Sequence, residues 1–228
     1  MSNRDLLDDP AWHALTGRQN GLAVGGPKAA CYRPGISPFA AITPDSGLES
    51  MADVVASGQG VVFMCADPPA GARGWKQVAE VFVLQMICAR PLSQDYPGVG
   101  RELGAEDVAQ MLALTELTEP GPFLEGTIEM GRYLGVEENG ELIAMAGERF
   151  CLDGWTEISG VCTHPDAEGR GLAKALVAEL VAGVFAAGHT PFLHVRRGSP
   201  SEQAAIAAYE RLGFEAHQEL MARVFVRS

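Results

Sequence analysis

The sequence is short of positive charge. Its 228 residues hold 17 Lys and Arg against 29 Asp and Glu, a formal net charge of −12. Capture of nucleic acid or of an anionic membrane surface is disfavoured, because both need clustered basic side chains. The deficit is uneven. Residues 1–100 carry 7 basic and 9 acidic side chains, whereas residues 101–228 carry 10 and 20. The second half therefore suits a cationic small molecule better than a polyanion. Cysteine is sparse as well. Cys31, Cys65, Cys88, Cys151 and Cys162 are odd in number, and no two stand at a CxxC interval. That spacing supports neither a zinc site nor a disulfide framework, so no metal is expected. The cysteines read as small packing residues in a reducing compartment. Long apolar runs are absent too. The most apolar stretch, residues 78–88, is too short to span a bilayer and contains Glu80. The opening MSNRDLLDDPAW has no apolar core of a signal peptide. No internal repeat or low-complexity tract occurs. The expectation is a soluble, cytoplasmic protein of one large domain or two small ones.

What is present divides at residues 91–104, a stretch with two prolines and three glycines that reads as a domain boundary. Before it, Asp9-Pro10 signals an N-cap and a short helix through Leu15. Residues 20–46 read as loop. A helix over 47–57 and strands over 60–65 and 75–88 follow. After the boundary, residues 106–118 predict an amphipathic helix stopped by Pro120-Gly121-Pro122. An antiparallel meander comes next, over 132–136, 141–151 and 155–164, turning at Glu138-Asn139-Gly140 and Leu152-Asp153-Gly154. The period then changes. Leu172, Leu176, Leu180 and Val184 stand four apart in a helix closed by Gly188. A strand over 192–196, a helix over 202–212 and a strand region over 214–226 complete the chain.

The stretch most informative about chemistry is EISGVCTHPDAEGRGLAKAL, residues 157–176. A strand runs into a loop holding Gly169 and Gly171, and the loop opens directly into a helix. Small residues at 169, 171 and 173 let a ligand approach the backbone, and the first helical N–H groups have no internal partner. With the helix dipole they make an anion site suited to a pyrophosphate, to which Arg170 and Lys174 could add charge-assisted contacts. A Rossmann dinucleotide motif is the rival reading. It expects its glycines after the first strand and an acidic residue about 20 positions on. Here they follow a meander, and that later position is Ala187-Gly188-His189-Thr190. The Rossmann reading fails.

At residues 105–227 the chain resembles the GNAT superfamily of acyl-CoA-dependent N-acyltransferases. EGRGLA at 168–173 is similar to its acyl-CoA loop, and YERLGF at 209–214 to its second signature. One departure is Glu168, where the family usually has Arg or Gln. The resemblance implies an α/β (α+β) fold with a mixed, mostly antiparallel sheet flanked by helices. It assigns 101–228 as the acetyltransferase domain. Residues 1–100 form an α/β region that could be a degenerate half-domain of the same type. The family's seventh strand has no clear candidate after Phe214. It would come from the first half or from a second subunit in a homodimer. The strands at 61–65 and 78–88 need a sheet to join, so the first half should not be removable.

The resemblance also implies roles. Val161, Cys162 and Thr163 would lend backbone groups to the pantetheine arm, and Gly169, Arg170, Gly171, Leu172, Ala173 and Lys174 would hold the pyrophosphate of acetyl-CoA. An amine, on a small molecule or a peptide, attacks the thioester directly, and fixed N–H donors stabilise the oxyanion. Tyr209 matches the tyrosine that protonates the leaving thiolate. Glu157 stands where some members carry a general base. Its other reading is a strand residue paired with Arg149. Glu129 and Glu148 are weaker base candidates. His164 reads as a loop residue, His194 as a hydrogen-bonded core histidine, and Arg196 and Arg197 as a solvated strand end. Two other functions are open: a non-catalytic acyl-CoA sensor or scaffold, and an acyltransferase for a longer acyl group or an unusual acceptor such as an amino acid.

Overall fold

In the computed structural model, which describes residues 3–92, 96 and 98–228, Asp9 does start the first helix. Its Oδ1 accepts the Trp12 N–H at 3.0 Å, and α1 (Pro10–Thr16) buries Ala11, Ala14 and Leu15. Residues 20–46, expected as loop, contain three short strands, β1 (Ala23–Gly25), β2 (Ala29–Tyr32) and β3 (Ala40–Ile42), paired antiparallel in a sheet of their own. Their alanines bury on both faces, so no alternation marks them. The helix expected over 47–57 is only a 3-10 turn, Leu48–Met51. Ser50 Oγ donates to the Gly47 carbonyl at 2.7 Å, a local bond that competes with helix propagation.

The larger sheet has eight strands. From the first half come β4 (Gly60–Cys65) and β5 (Trp75–Ile87). From the second come β6 (Arg101–Glu102), β7 (Tyr133–Glu138), β8 (Glu141–Leu152), β9 (Trp155–Thr163), β10 (Thr190–Arg196) and β11 (Glu215–Arg227). Their spatial order is β4-β11-β5-β10-β9-β8-β7-β6. Every contact in it is antiparallel except β9 with β10. The missing seventh strand is thus supplied by the first half of the same chain, since β5 lies between β10 and β11. The line between residues 100 and 101 crosses one continuous sheet. The stretch 91–104 lies partly outside the described residues.

Among the described residues, four helices cover the two faces. On one face, α3 (Leu172–Ala186) and α4 (Glu202–Glu210) enclose Leu176, Val177, Leu180 and Val181 with Ile158 and Leu193. On the other, α1 and the small sheet bury Tyr32, Phe39 and Phe150, and α2 (Val108–Thr118) packs Met111 and Leu114 against Tyr133 and Met145. Glu119 (φ 47°) ends α2 in the left-handed conformation, immediately before the expected Pro120-Gly121-Pro122 stop. Among the described residues no helix is long and apolar enough to cross a membrane.

Candidate active site

The parallel pair β9 and β10 is joined only at Thr190↔Trp155, Pro191↔Thr156 and Phe192↔Glu157. Past that register, residues 158–163 and 193–196 do not pair with one another, so the sheet opens as a wedge. β9 also bulges there. Met145 pairs with Cys162 and Gly147 with Ser159, which leaves Gly160 and Val161 opposite Ala146 alone. Gly160 takes φ +62°, a conformation that favours glycine. The bulge therefore turns backbone groups of β9 out of the ladder at the mouth of the wedge, where Val161, Cys162 and Thr163 stand.

The glycine loop closes the same end. Gly169 and Gly171 have φ +75° and +78°, and a Cβ added at either would meet no atom within 4 Å, so the backbone is open to a ligand. Gly171 is the N-cap of α3 and has no side chain to occupy the helix amides; the first helical bond runs from Ala175 N to Gly171 O at 3.0 Å. The amides of Leu172, Ala173 and Lys174 precede it and remain available. The loop thus fits a pyrophosphate. Its two cations are engaged elsewhere. Arg170 pairs with exposed Glu138 through two contacts of 3.0 Å, and Lys174 Nζ lies 5.4 Å from the centre of the Tyr96 ring. The Arg170 pair is at the surface, where such pairs are weak and exchange readily.

Tyr209 packs on the same apolar cluster as Val161 and Leu172, its ring edge-on to Phe214 at 5.9 Å. Its hydroxyl makes no hydrogen bond to a described residue, and burial pushes its pKa up to about 12. That favours the protonated phenol. Tyr209, Val161 and the start of α3 are therefore brought together on one face of the sheet.

Glu157 lies on the other. It is 0 % exposed, and its carboxylate is held by Arg149 (Nε–Oε2 2.8 Å, Nη2–Oε1 2.6 Å) and by His194 Nδ1 at 2.6 Å. Gln85 Nε2 stands 3.0 Å from His194 Nε2 and 3.1 Å from the Leu7 carbonyl, while Gln85 Oε1 accepts from Gln218. Gln85 is therefore the donor to Nε2, and His194 carries its proton on Nδ1, facing Glu157. His194 is the hydrogen-bonded core histidine that the sequence suggests. Burial alone pushes the Glu157 carboxyl up, but Arg149 and His194 outweigh it and hold it below the usual carboxylate range. A buried carboxylate so engaged is a poor proton acceptor for an amine. Both oxygens of Glu157, the residue expected as the base, are thus engaged by neighbouring side chains.

Arg149, not Glu157, reaches the surface of a cleft. The cleft is narrow, ≈ 10 Å³, and is lined by Pro120, Pro122, Phe123, Tyr133, Arg149, Ser159 and Gly160, among others. It adjoins the β9 bulge through Ser159 and Gly160. The rings of Phe39 and Phe150, 5.1 Å apart, lie 4.6 and 4.9 Å from the Arg149 guanidinium, and Thr127 Oγ1 donates to the Ile36 carbonyl at 2.7 Å. Sequence reasoning missed Tyr133 and Phe39 here. The available signal was Gly147, an isolated glycine within a strand. A Cβ there would lie 2.1 Å from the Tyr133 ring.

Comparison with known proteins agrees with this arrangement. Residues 133–224 match the model of the FR47-like protein family. A GNAT-family structure from Novosphingobium aromaticivorans is similar at 36 % identity and a TM-score of 0.89, covering 97 % of this chain and 98 % of that one. The chain belongs to the GNAT family. Two further GNAT structures share the fold at lower identity. A GCN5-related N-acetyltransferase from Kribbella flavida matches at 17 % identity and TM-score 0.60, covering 95 % of each chain. A GCN5-related N-acetyltransferase-like protein from Streptococcus suis matches at 16 % and 0.58, covering 99 % of this chain and 96 % of that one. No curated protein sequence matches the chain.

Proposed function

We propose that this GNAT protein is an N-acetyltransferase that passes an acetyl group from acetyl-CoA to a primary amine by direct attack on the thioester. The observation that carries the reading is the wedge between β9 and β10, which leads from the Arg149 cleft to the open amides beside Gly171. In it, the amides of Leu172, Ala173 and Lys174 bind the pyrophosphate with the positive end of the α3 dipole. Backbone N–H groups freed by the β9 bulge hydrogen-bond the thioester carbonyl and strengthen as negative charge develops on its oxygen. When bound, the thioester supplies an acyl carbon open to attack and a thiolate leaving group. Tyr209 donates its phenolic proton to that thiolate, a role that its burial and unengaged hydroxyl support. The proton released by the amine nitrogen as the amide forms passes to solvent, from which the phenolate is reprotonated. The cleft side of the wedge admits the amine, and proximity of the two substrates supplies much of the rate.

The test is a calorimetric titration of acetyl-CoA and free coenzyme A into the native chain and a Gly171→Glu variant, followed by assay of Tyr209→Phe. Micromolar binding that Gly171→Glu abolishes, with at least tenfold slower turnover in Tyr209→Phe at unchanged binding, is the expected result. No binding by the native chain would overturn the reading. Tight binding without turnover on a broad amine panel would favour the sensor or scaffold.

A further inference from the structure

The acidic second half suggests a cationic acceptor, but the cleft beside the β9 bulge says otherwise. Its wall contains no carboxylate. Its one charged side chain is Arg149, which is 8 % exposed. Of the five N–H donors of that guanidinium, Nε and Nη2 serve Glu157, and Nη1 makes no hydrogen bond to a described residue. The rings of Phe39 and Phe150, edge-to-face with each other at 5.1 Å, both lie against the guanidinium and restrict its movement.

Two hydroxyls stand beside it. Tyr133, walled in by Gly147 and Gly160, lines the cleft, and its hydroxyl has no hydrogen-bond partner among the described residues. Ser159 Oγ is likewise unengaged. A nine-tenths-buried cation with a spare donor and two unengaged hydroxyls therefore meet in one narrow space. Among the described residues Glu179 Oε2 is the one buried side-chain nitrogen or oxygen without a hydrogen bond, so these three atoms keep an open side toward the cleft, where an acceptor group from outside can reach them. The enclosed space is about that of one water, so an incoming group is met at the mouth of the cleft rather than inside it. Glu157 cannot serve a cation, because its oxygens are taken up by Arg149 and His194.

We infer that the cleft recognises a carboxylate on the acceptor, so that the amine acetylated is that of an amino acid or a similar amino carboxylate. This rests on the acyl-transfer reading above and narrows its acceptor. Arg149 Nη1, Tyr133 OH and Ser159 Oγ donate to the carboxylate, and the neighbouring amine then lies toward Gly160 and the wedge. Glu157 and His194 are positioning residues, since they hold Arg149 in the one orientation that presents Nη1.

The experiment is a calorimetric titration of the full chain, with and without saturating coenzyme A. The probes are the N-acetyl derivatives of glycine, alanine, glutamine, phenylalanine and lysine, each beside its carboxamide. At least one carboxylate is expected to bind tenfold or more tightly than its amide. Tyr133→Phe, which keeps the packed ring, and Ser159→Ala should each reduce that preference several-fold while leaving the affinity for coenzyme A unchanged. Arg149→Lys should remove the preference. Equal binding of carboxylates and amides, or no carboxylate binding in either condition, would overturn the inference. Failure of coenzyme A to bind would overturn the acyl-transfer reading instead, and the titration without it still reports on the cleft.

Discussion

Arg149 and Glu157 face each other across neighbouring strands in a two-point contact, Nε to Oε2 at 2.8 Å and Nη2 to Oε1 at 2.6 Å, with both side chains nine-tenths or more buried. A second bulge makes this possible. Glu148 pairs with Ile158 and Cys151 with Thr156, so Arg149 and Phe150 together oppose Glu157 alone. Removing one partner strands the other's charge in the interior. Glu157→Gln is therefore expected to lower unfolding stability by about 3–5 kcal/mol, the usual cost of breaking a buried pair. Urea denaturation followed by circular dichroism checks it; an unchanged midpoint would refute the pair's structural role.

The same carboxyl sets an acid limit. Its pKa is below the usual value when folded, so its stabilisation is present above the unfolded-state value of about 4.3 and is lost as pH falls toward the folded one. The native chain should lose urea resistance on acidification below about pH 5, and Glu157→Gln should lose less over the same range.

Asp9 works in the opposite sense. Burial raises its carboxyl to about 7, against the lowering effect of the Trp12 N–H. A raised pKa means stability that is full below the unfolded value and declines as pH rises through the folded one. Asp9→Asn keeps a good N-cap for α1 without the charge. The variant should have the higher urea midpoint at pH 8 and lose that advantage at pH 4. Equal midpoints at pH 8 would show that the buried charge costs nothing.

Gly147 is the space into which the Tyr133 ring fits. A Cβ at 147 would stand 2.1 Å from Tyr133 Cδ1 and 2.2 Å from Cε1, so the ring must move. Gly147→Ala should cost about 1–3 kcal/mol, as overpacking does. It should also disturb the cleft that Tyr133 lines, whereas Tyr133→Phe should melt close to the native temperature. Equal melting of Gly147→Ala and the native chain would remove the argument.

A fragment of residues 101–228 lacks β4 and β5. Without them, β10 loses its partner at residues 192–196, and β11 loses both of its partners. Exposed edges of that length aggregate. The fragment should be insoluble alone and recovered on co-expression with residues 1–100. A soluble, folded, monodisperse fragment by size-exclusion chromatography would contradict this.

Much of the second half was legible in sequence because its signals are local. Asn139 and Gly140, at φ 55° and 84°, form the turn that Glu138-Asn139-Gly140 predicts, and Gly188 ends α3 in the left-handed conformation. The glycine loop was equally plain, since the conformation that opens it is one that glycine adopts most readily. In the first half the Asp9-capped helix and the strands β4 and β5 were legible, but residues 20–57 were not. The alanines of β2 and β3 bury on both faces and leave no period, and the 3-10 turn at 48–51 owes its form to one Ser50 bond that propensity does not report.

By itself the sequence determined the meander, the glycine loop with its open helix amides, and the position of Tyr209 after α3, because each follows from spacing along a few adjacent residues. Only the tertiary structure decided where β5 belongs and what Glu157 does. Strand pairing between β5 and β11 joins residues up to about 150 positions apart, and no local pattern encodes a partner at that distance. Likewise, the charge that neutralises Glu157 arrives from Arg149 through a bulge, and a hydrogen bond from His194 reaches it across the parallel pair. Alternation along β9 predicts the face Glu157 occupies. It cannot say that Glu157 is fully buried there, or that its carboxylate is paired with Arg149.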